Sequence, residues 1–351
     1  MKASGYANNS ATDKLKPFEF DRREPGPQDV VIDILYCGVC HSDIHSARNE
    51  WGHTHYPFVP GHEIIGRVRA VGNKVSRFKA GELVGVGCLV DSCRECEPCK
   101  EGLEQYCENG WTGTYNSEDK IGGTPHTHTF GGYSDKITVS ERFVLRVPDN
   151  LDPAAAAPLL CAGITTYSPL KHWKVSSGQK VGIIGLGGLG HMGIKFAHAM
   201  GTHVTMITTS PEKGKDAKNL GADGVLISTD ASAMTAAQGS FDFLLNTIPV
   251  GHDVNPYMGL LKLDGTMVIV GAVEALTKVS GVPFIFKRRS MAGSLIGGLP
   301  ETQEMLDFCG KHNITCDIEM IDIKNINAAY DRTVKGDVKY RFVIDMGTLA
   351  N

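Results

Sequence analysis

Two rhythms of apolar and polar positions divide the chain. In the first part, apolar residues come in short runs broken by Gly, Pro and Asn, the punctuation of strands joined by turns. The runs predict strands at 30–39 (VVIDILYCGV), 66–72, 82–90, 133–140 and 142–148. Near Pro153 the character changes. From Lys180 short apolar strands alternate with helical stretches: 180–185, 188–200, 203–208, 211–220, 224–228, 230–238, 241–247, 253–262 and 265–271. That alternation is the mark of a parallel α/β sheet. It ends after SLIGG at 294–298; a helix at 301–312 and a strand at 340–345 close the chain. The tail reads as a return to the first domain. The expected fold is therefore α/β in two domains, one β-rich (1–152 and 298–351) and one a doubly wound parallel sheet (153–297).

Composition narrows the class. The chain has 351 residues, 42% of them hydrophobic and 21% charged, with a formal charge of −4. That is a globular balance with no basic field for nucleic acid or an anionic membrane. The N-terminal stretch MKASGYANNSATDKLKPF has no apolar core of a secretory signal, and no apolar run approaches the roughly 18 residues of a membrane span. A cytoplasmic protein is expected, and its ten cysteines are then poor candidates for disulfides.

The stretch YCGVCHSD, 36–43, carries three readings. Cys37-x2-Cys40-His41 matches a c-type haem attachment site, half of a zinc knuckle, or a thiol redox pair. A cytosolic setting disfavours haem. Cys93-x2-Cys96-x2-Cys99-x7-Cys107 is a stronger signal. Four thiolates at this spacing can wrap one tetrahedral Zn²⁺ with no open position, so the metal would be structural. A ferredoxin run would have a shorter last gap and a proline after the fourth cysteine.

The segment KVGIIGLGGLGHMG places Gly185-x-Gly187-x2-Gly190 after a buried-looking strand and at the start of a helix. In that context the glycines, with Gly188 and Leu189, predict a dinucleotide pyrophosphate at a helix N-terminus. A cofactor lacking a 2′-phosphate would call for Asp or Glu at the end of the next strand. This chain has Thr208, Thr209 and Ser210 there, with Lys213 close behind. Hydroxyls and a cation without a carboxylate predict NADP(H).

In order along the chain stand GVCHSDIH, then Gly61-His62-Glu63-x2-Gly66-x5-Gly72, the four-cysteine lobe, PLLCAGITTY, GLGGLGHMG and YRFVID. With these motifs the chain resembles the zinc-dependent alcohol dehydrogenases of the medium-chain dehydrogenase/reductase superfamily. Within them it looks most like the cinnamyl alcohol dehydrogenase group and its bacterial NADPH-dependent aldehyde reductase relatives. The resemblance spans essentially the whole chain. It implies a GroES-like β-barrel catalytic domain, a Rossmann cofactor domain and a homodimer.

It also assigns roles. Cys40, His62 and Cys161 would hold a catalytic zinc with an open position, making two zincs per chain, and Glu63 can take the fourth place. Asp43 would orient His62. Ser42 would hydrogen-bond the substrate oxygen and His45 would pass the proton to solvent. His41 and Arg341 fall where the family contacts the pyrophosphate. Trp51, Leu89 and Trp111 fall near positions lining the substrate pocket, which would suit flat aromatic aldehydes. Cys40 is then the ligand, Cys37 is packing, and the haem match is accidental. Cys88, Cys309 and Cys316 read as small buried apolar residues. The implied reaction interconverts primary alcohols and aldehydes with NADP(H). Two competing readings are weaker. A polyol or threonine dehydrogenase would carry the acidic residue missing after MIT. A non-catalytic dinucleotide sensor would be expected to lose Cys40, His62 or Cys161.

Overall fold

The strand Asp29–Gly38 organises the first unit because it is hydrogen-bonded along both edges. The computed structural model describes residues 1–351 except 121, 123–125, 272, 273, 277 and 351, and only the backbone of 350. One edge of Asp29–Gly38 pairs antiparallel with Ile64–Val71. The other pairs first with Lys136–Ser140 and then with Arg341–Asp345. Ile64–Val71 continues to Leu83–Val86 and that strand to Leu145–Arg146, while Arg341–Asp345 pairs parallel with Ile318–Asp322. A strand from the last dozen residues thus lies beside one from the first forty. Val30, Ile32, Ile64, Ile65, Val86, Val343 and Ile344 are fully buried in this sheet, as branched residues on a doubly covered sheet should be.

The strands differ from expectation in places with identifiable causes. The run 82–90 is two strands, Leu83–Val86 and Leu89–Asp91. The break falls at Gly87, where a Cβ would stand 3.0 Å from the Leu160 carbonyl oxygen. Beyond it Leu89 pairs with Gly113 in a separate two-stranded sheet. Of 133–140 only Lys136–Ser140 is strand, and of 142–148 only Leu145–Arg146. The hairpin Lys2–Ala7 with Lys16–Asp21 was not anticipated, since its second strand shows no apolar run.

The second unit spans Ala162–Ile296. Among the described residues its sheet has six parallel strands: Lys180–Ile184, His203–Thr208, Gly224–Ile227, Phe241–Asn246, Leu261–Ile269 and Ser290–Gly293. Numbered along the chain, they lie in the order 3-2-1-4-5-6, the doubly wound arrangement of dinucleotide-binding domains. Helices Gly190–Ala199, Pro211–Asn219 and Ala231–Ala236 follow the first three strands. Asp230 caps the last of these by accepting from the Ser232 and Ala233 amides at 2.9 and 3.1 Å, as an N-cap carboxylate should. The alternation ends on Ser290–Gly293 rather than at 294–298. Leu295 is exposed and Ile296 has φ +35°, which no strand continues through.

The first unit comprises Met1–Cys161 and Gly297–Asn351, so its junction with the second lies after Cys161, later than the change of character near Pro153. The helix Pro153–Ala156 and the turn Ala157–Leu160 are buried with the first unit's sheet; the Cys316 amide, for instance, donates to the Ala155 carbonyl at 3.1 Å. Among the described residues no helix is long and apolar enough to cross a membrane.

The entry to the organising strand is fixed by a largely buried ion pair. Arg23 donates twice to Asp29, which also accepts from the Gly26 amide at 2.6 Å. Burial alone would raise the Asp29 carboxyl, but the guanidinium and the amide outweigh it and hold the group below its usual range. A depressed carboxyl stabilises the fold above its unfolded-state pKa, and that contribution is lost as pH falls through the folded value. Asp29→Asn is therefore expected to cost about 1–2 kcal/mol at pH 7. The gap to wild type should hold from pH 7 down to about 4 and narrow as the pH falls from about 4 toward 2. Urea midpoints across that range test this, and a pH-independent gap would contradict it.

Candidate active site

The helix His41–Ala47 begins where the strand Asp29–Gly38 ends. Its start is held by Asp43, whose Oδ2 accepts the Cys40 amide at 2.8 Å. The same carboxylate reaches a second segment: Oδ1 accepts from the Gly61 amide at 3.0 Å and bonds His62 Nδ1 at 3.1 Å. Asp43 is fully buried. It thereby ties Cys40 to His62, 22 positions apart in sequence, and leaves Nε2 of His62 free to face another ligand. Gly61 has φ +102°, and a Cβ there would sit 2.7 Å from the Tyr133 ring, so the position requires glycine.

Cys161 closes the group. Its Sγ lies 4.0 Å from that of Cys40. The ligand atoms of Cys40, His62, Glu63 and Cys161 all fall within 4.8 Å of one another, and all four residues are buried. With Zn–S bonds of about 2.3 Å, tetrahedral sulfurs stand about 3.8 Å apart, so the spacing fits zinc. The hydrogen bond from the Cys161 thiol holds Cys40 well below the usual thiol range against burial, with Arg341 and His62 adding to the effect. Cys161, the donor, is correspondingly raised.

Glu63 completes the set. Gly38 makes room for it: a Cβ at Gly38 would stand 1.9 Å from Glu63 Oε2. Oε1 is ion-paired with Arg341, itself buried. Oε2 is buried without a hydrogen-bond partner, as expected of an oxygen free to take a cation. Burial pushes the carboxyl up to about 8 against the pull of Arg341. On Arg341, burial is outweighed by Glu63 and the thiols, which raise it above its usual range. Arg341 was expected at a pyrophosphate contact; its pairing with Glu63 was not foreseen.

Ser42 and His45 lie on the helix that Asp43 starts, partly accessible, with His41 exposed at its first position. His45 Nδ1 is bonded to Glu50, a partner that no sequence motif revealed. Trp51 is 38% exposed and stacks on His45, ring centroids 5.2 Å apart and planes at 29°. Leu89 is buried and Trp111 half-buried beside Gly113. Cys88 is more than packing. Hydrogen bonding to Cys161 draws its thiol below the usual range, and His62 acts in the same direction. The half-buried Cys88 donates its thiol to the carbonyl of Leu160, the residue before Cys161, at 3.8 Å. Cys37 is fully buried under Gly61 and Gly132, and Cys309 and Cys316 are buried as well.

The second cysteine group is local. Cys93, Cys96, Cys99 and Cys107 bring their sulfurs within 4.8 Å of one another. Cys93–Cys99 and Cys96–Cys107 are each 3.9 Å apart, again the tetrahedral edge. Amides of Glu95 and Cys96 donate to Cys93 Sγ at 3.5 and 3.4 Å, and the Cys93 amide to Cys107 Sγ at 3.4 Å. The Glu95 and Cys96 amides favour the thiolate and hold Cys93 down to about 6, whereas burial pushes Cys99 up to about 12.

The glycine loop in the second unit has the three properties a pyrophosphate cradle needs. Gly185 makes the tight turn at φ +92°. Around Gly187 a Cβ would meet nothing within 4 Å, leaving space for an approaching group. At Gly190 a Cβ would stand 1.9 Å from the Gly185 carbonyl oxygen, so helix and strand touch there. Gly188 and Leu189 link these positions ahead of helix Gly190–Ala199. Thr247 braces the loop, donating to the Ile184 and Gly185 carbonyls at 2.8 and 3.0 Å. Lys213 Nζ reaches the Leu186 carbonyl at 3.4 Å, close to Thr208, Thr209 and Ser210 in sequence. One carboxylate is nearby after all: Ser210 Oγ donates to Glu212 at 2.7 Å.

Comparison with known proteins places these features. The alcohol dehydrogenase GroES-like domain matches residues 26–149, and the zinc-binding dehydrogenase domain matches 188–311. The chain is 57% identical to aldehyde reductase YahK of Escherichia coli, with all of both chains covered. It is 52% identical to NADP-dependent alcohol dehydrogenase C 1 of Mycolicibacterium smegmatis, over 99% of this chain and 98% of that one. Among solved structures, a cinnamyl alcohol dehydrogenase from Sorghum bicolor superposes with TM-score 0.95 at 45% identity, covering 99% and 98% of the two chains. The Helicobacter pylori enzyme complexed with NADP(H) gives 0.92 at 44% identity, covering 99% of each.

The loop geometry yields a direct test. Gly190→Ala forces the helix start away from the strand end and should weaken NADPH binding at least about tenfold in a fluorescence titration. Unchanged affinity would mean the dinucleotide does not use this loop.

Proposed function

Because the chain belongs to the zinc-binding alcohol dehydrogenase family, we propose that it is an NADP(H)-dependent oxidoreductase interconverting primary alcohols and aldehydes. It acts mainly as a broad-specificity aldehyde reductase or cinnamyl alcohol dehydrogenase. The observation that carries this reading is the buried set Cys40, His62, Glu63 and Cys161, whose ligand atoms lie within 4.8 Å of one another. Two thiols, an imidazole and a carboxylate that is already paired are the donors of a catalytic zinc with one exchangeable position. The names of the relatives, aldehyde reductase and NADP-dependent alcohol dehydrogenase, support the substrate class and the cofactor.

In this mechanism Cys40, Cys161 and His62 hold the metal. Zinc bound there supplies Lewis acidity at the carbonyl oxygen, and NADP(H) supplies or accepts the hydride. Asp43 keeps His62 in the tautomer with the proton on Nδ1. Ser42, on the first turn of the helix, hydrogen-bonds the substrate oxygen. His45 carries the proton from Ser42 toward solvent, with its Nδ1 fixed by Glu50 so that Nε2 is left for the transfer. Arg341 neutralises Glu63 when that carboxylate is not needed by the metal. Trp51, Leu89 and Trp111 line the path of a flat aromatic substrate, with Trp51 entering it beside His45.

The second zinc is held by Cys93, Cys96, Cys99 and Cys107 and is structural. The glycine loop and Thr208, Thr209, Ser210 and Lys213 hold the cofactor. The protein works in the cytoplasm, a compartment in which thiolate metal ligands of this kind stay reduced. It pairs as a homodimer. Among the described residues Ser290–Gly293 is the edge strand of its sheet, and Val282, Ile285 and Phe286 on the neighbouring helix Val282–Lys287 are exposed, an apolar patch that a second copy would cover.

The decisive comparison is kcat/KM for cinnamaldehyde with NADPH and then NADH. A preference for NADPH of tenfold or more, about 1.4 kcal/mol, is expected; equal use would sink the 2′-phosphate reading and leave the metal site standing. Metal analysis supplies a second test. Wild type should hold two zincs per chain and Cys99→Ser one, with a lower Tm. Two zincs retained in the variant would remove the structural role from that cluster.

A further inference from the structure

The loop 131–133 runs alongside 59–61. Amides of Gly131, Gly132 and Tyr133 donate to the carbonyls of Val59, Gly61 and Pro60 at 2.8, 2.8 and 2.9 Å. Tyr133 is fully buried. Its ring fills the space that a side chain on Gly61 would need, and its hydroxyl donates to Asp43 Oδ2 at 3.3 Å. Tyr330, on helix Ile326–Val334, lies against the ring with centroids 6.5 Å apart. Burial and the Asp43 charge both push the Tyr133 phenol well up, so it remains a donor.

Asp43 thus has four donors: the Cys40 and Gly61 amides, His62 Nδ1 and the Tyr133 hydroxyl. Two act on each oxygen. The amides belong to the backbone and cannot be lost by substitution. The phenol is the side-chain donor that opposes the pull of His62 on the other oxygen.

We propose that Tyr133 is a positioning residue for the metal ligand His62, acting through Asp43. Its phenol anchors Oδ2 so that Oδ1 stays directed at the Gly61 amide and His62 Nδ1, and Nε2 stays aimed at the metal. Without it Oδ2 keeps the Cys40 amide alone, and the carboxylate holds the plane of the imidazole less firmly. The inference rests on Cys40, His62 and Cys161 being metal ligands.

The test is zinc release from the intact holoenzyme to a chromogenic chelator, where the two sites give separable phases. Tyr133→Phe should accelerate the phase of the Cys40, His62 and Cys161 site about tenfold and leave the four-cysteine phase unchanged. In Co²⁺-substituted protein the same variant should shift the visible ligand-field bands. Both phases unchanged, or both accelerated together, would overturn the proposal, the second because general loosening acts on both. Should Tyr133→Phe not fold, 3-fluorotyrosine placed at 133 carries the test. As a stronger donor it should slow the same phase, and an unchanged rate overturns the idea. Wild type lacking metal at that site would instead bring down the ligand assignment on which the inference rests.

Discussion

Four hydrogen-bond donors converge on the two oxygens of Asp43, and the geometry of the catalytic unit follows from satisfying them. A fully buried carboxylate is tolerated only if its lone pairs are filled. Filling them draws together the start of helix His41–Ala47, the Gly61-His62 turn and the loop that carries Tyr133. Those pieces bring Cys40 and His62 within reach of Cys161. The candidate metal-ligand set is in this sense a by-product of burying one charge well. Helix His41–Ala47 also carries Ser42 and His45, so the proton path proposed for them would inherit its position from the same carboxylate.

Charge balance explains the remaining partners. Two thiolates and Glu63 would place three negative charges in a buried space, which a divalent ion offsets only in part. Arg341 supplies the balance, held against Glu63 by a strand from the far end of the chain. A lone buried ion pair contributes little to stability, because desolvation offsets the attraction. Its value here is that Glu63 has two places for its charge, the guanidinium and the metal, and Oε2 has no hydrogen-bond partner while Oε1 is paired. Gly38 permits this arrangement by having no side chain where Glu63 needs to lie.

What the sequence made legible was local or periodic. The alternation from 180 to 271, the glycine loop and the four-cysteine lobe are each written in a short window, and each stands close to where the pattern put it. Cys40, His62 and Cys161 are separated by long stretches of chain, and no periodicity could join them; resemblance did. Pairings that depend on a distant strand stayed hidden, Arg341 with Glu63 above all. So did Glu50, which is adjacent in space to His45 through a turn rather than a motif, and Cys88, whose neighbour Cys161 lies 73 positions away. The run 82–90 read as one strand because its apolar content continues through Gly87. The break there is imposed by the Leu160 backbone, which a sequence pattern does not see.

The cofactor loop shows how a correct local reading can still be incomplete. Thr208, Thr209 and Ser210 end their strand without a carboxylate, but the next helix begins Pro211-Glu212, and Glu212 takes the Ser210 hydroxyl at 2.7 Å. A carboxylate in the first turn of a helix is favoured by the helix dipole and holds its own ground there. A 2′-phosphate seeking Ser210 would therefore have to displace that contact and tolerate a nearby negative charge, with Lys213 as the compensating cation. On the proposed assignment the cofactor preference of this chain would be a difference between those opposing contributions. The exposed Glu212 would then bear on it as much as the absence of an acid at the strand's end.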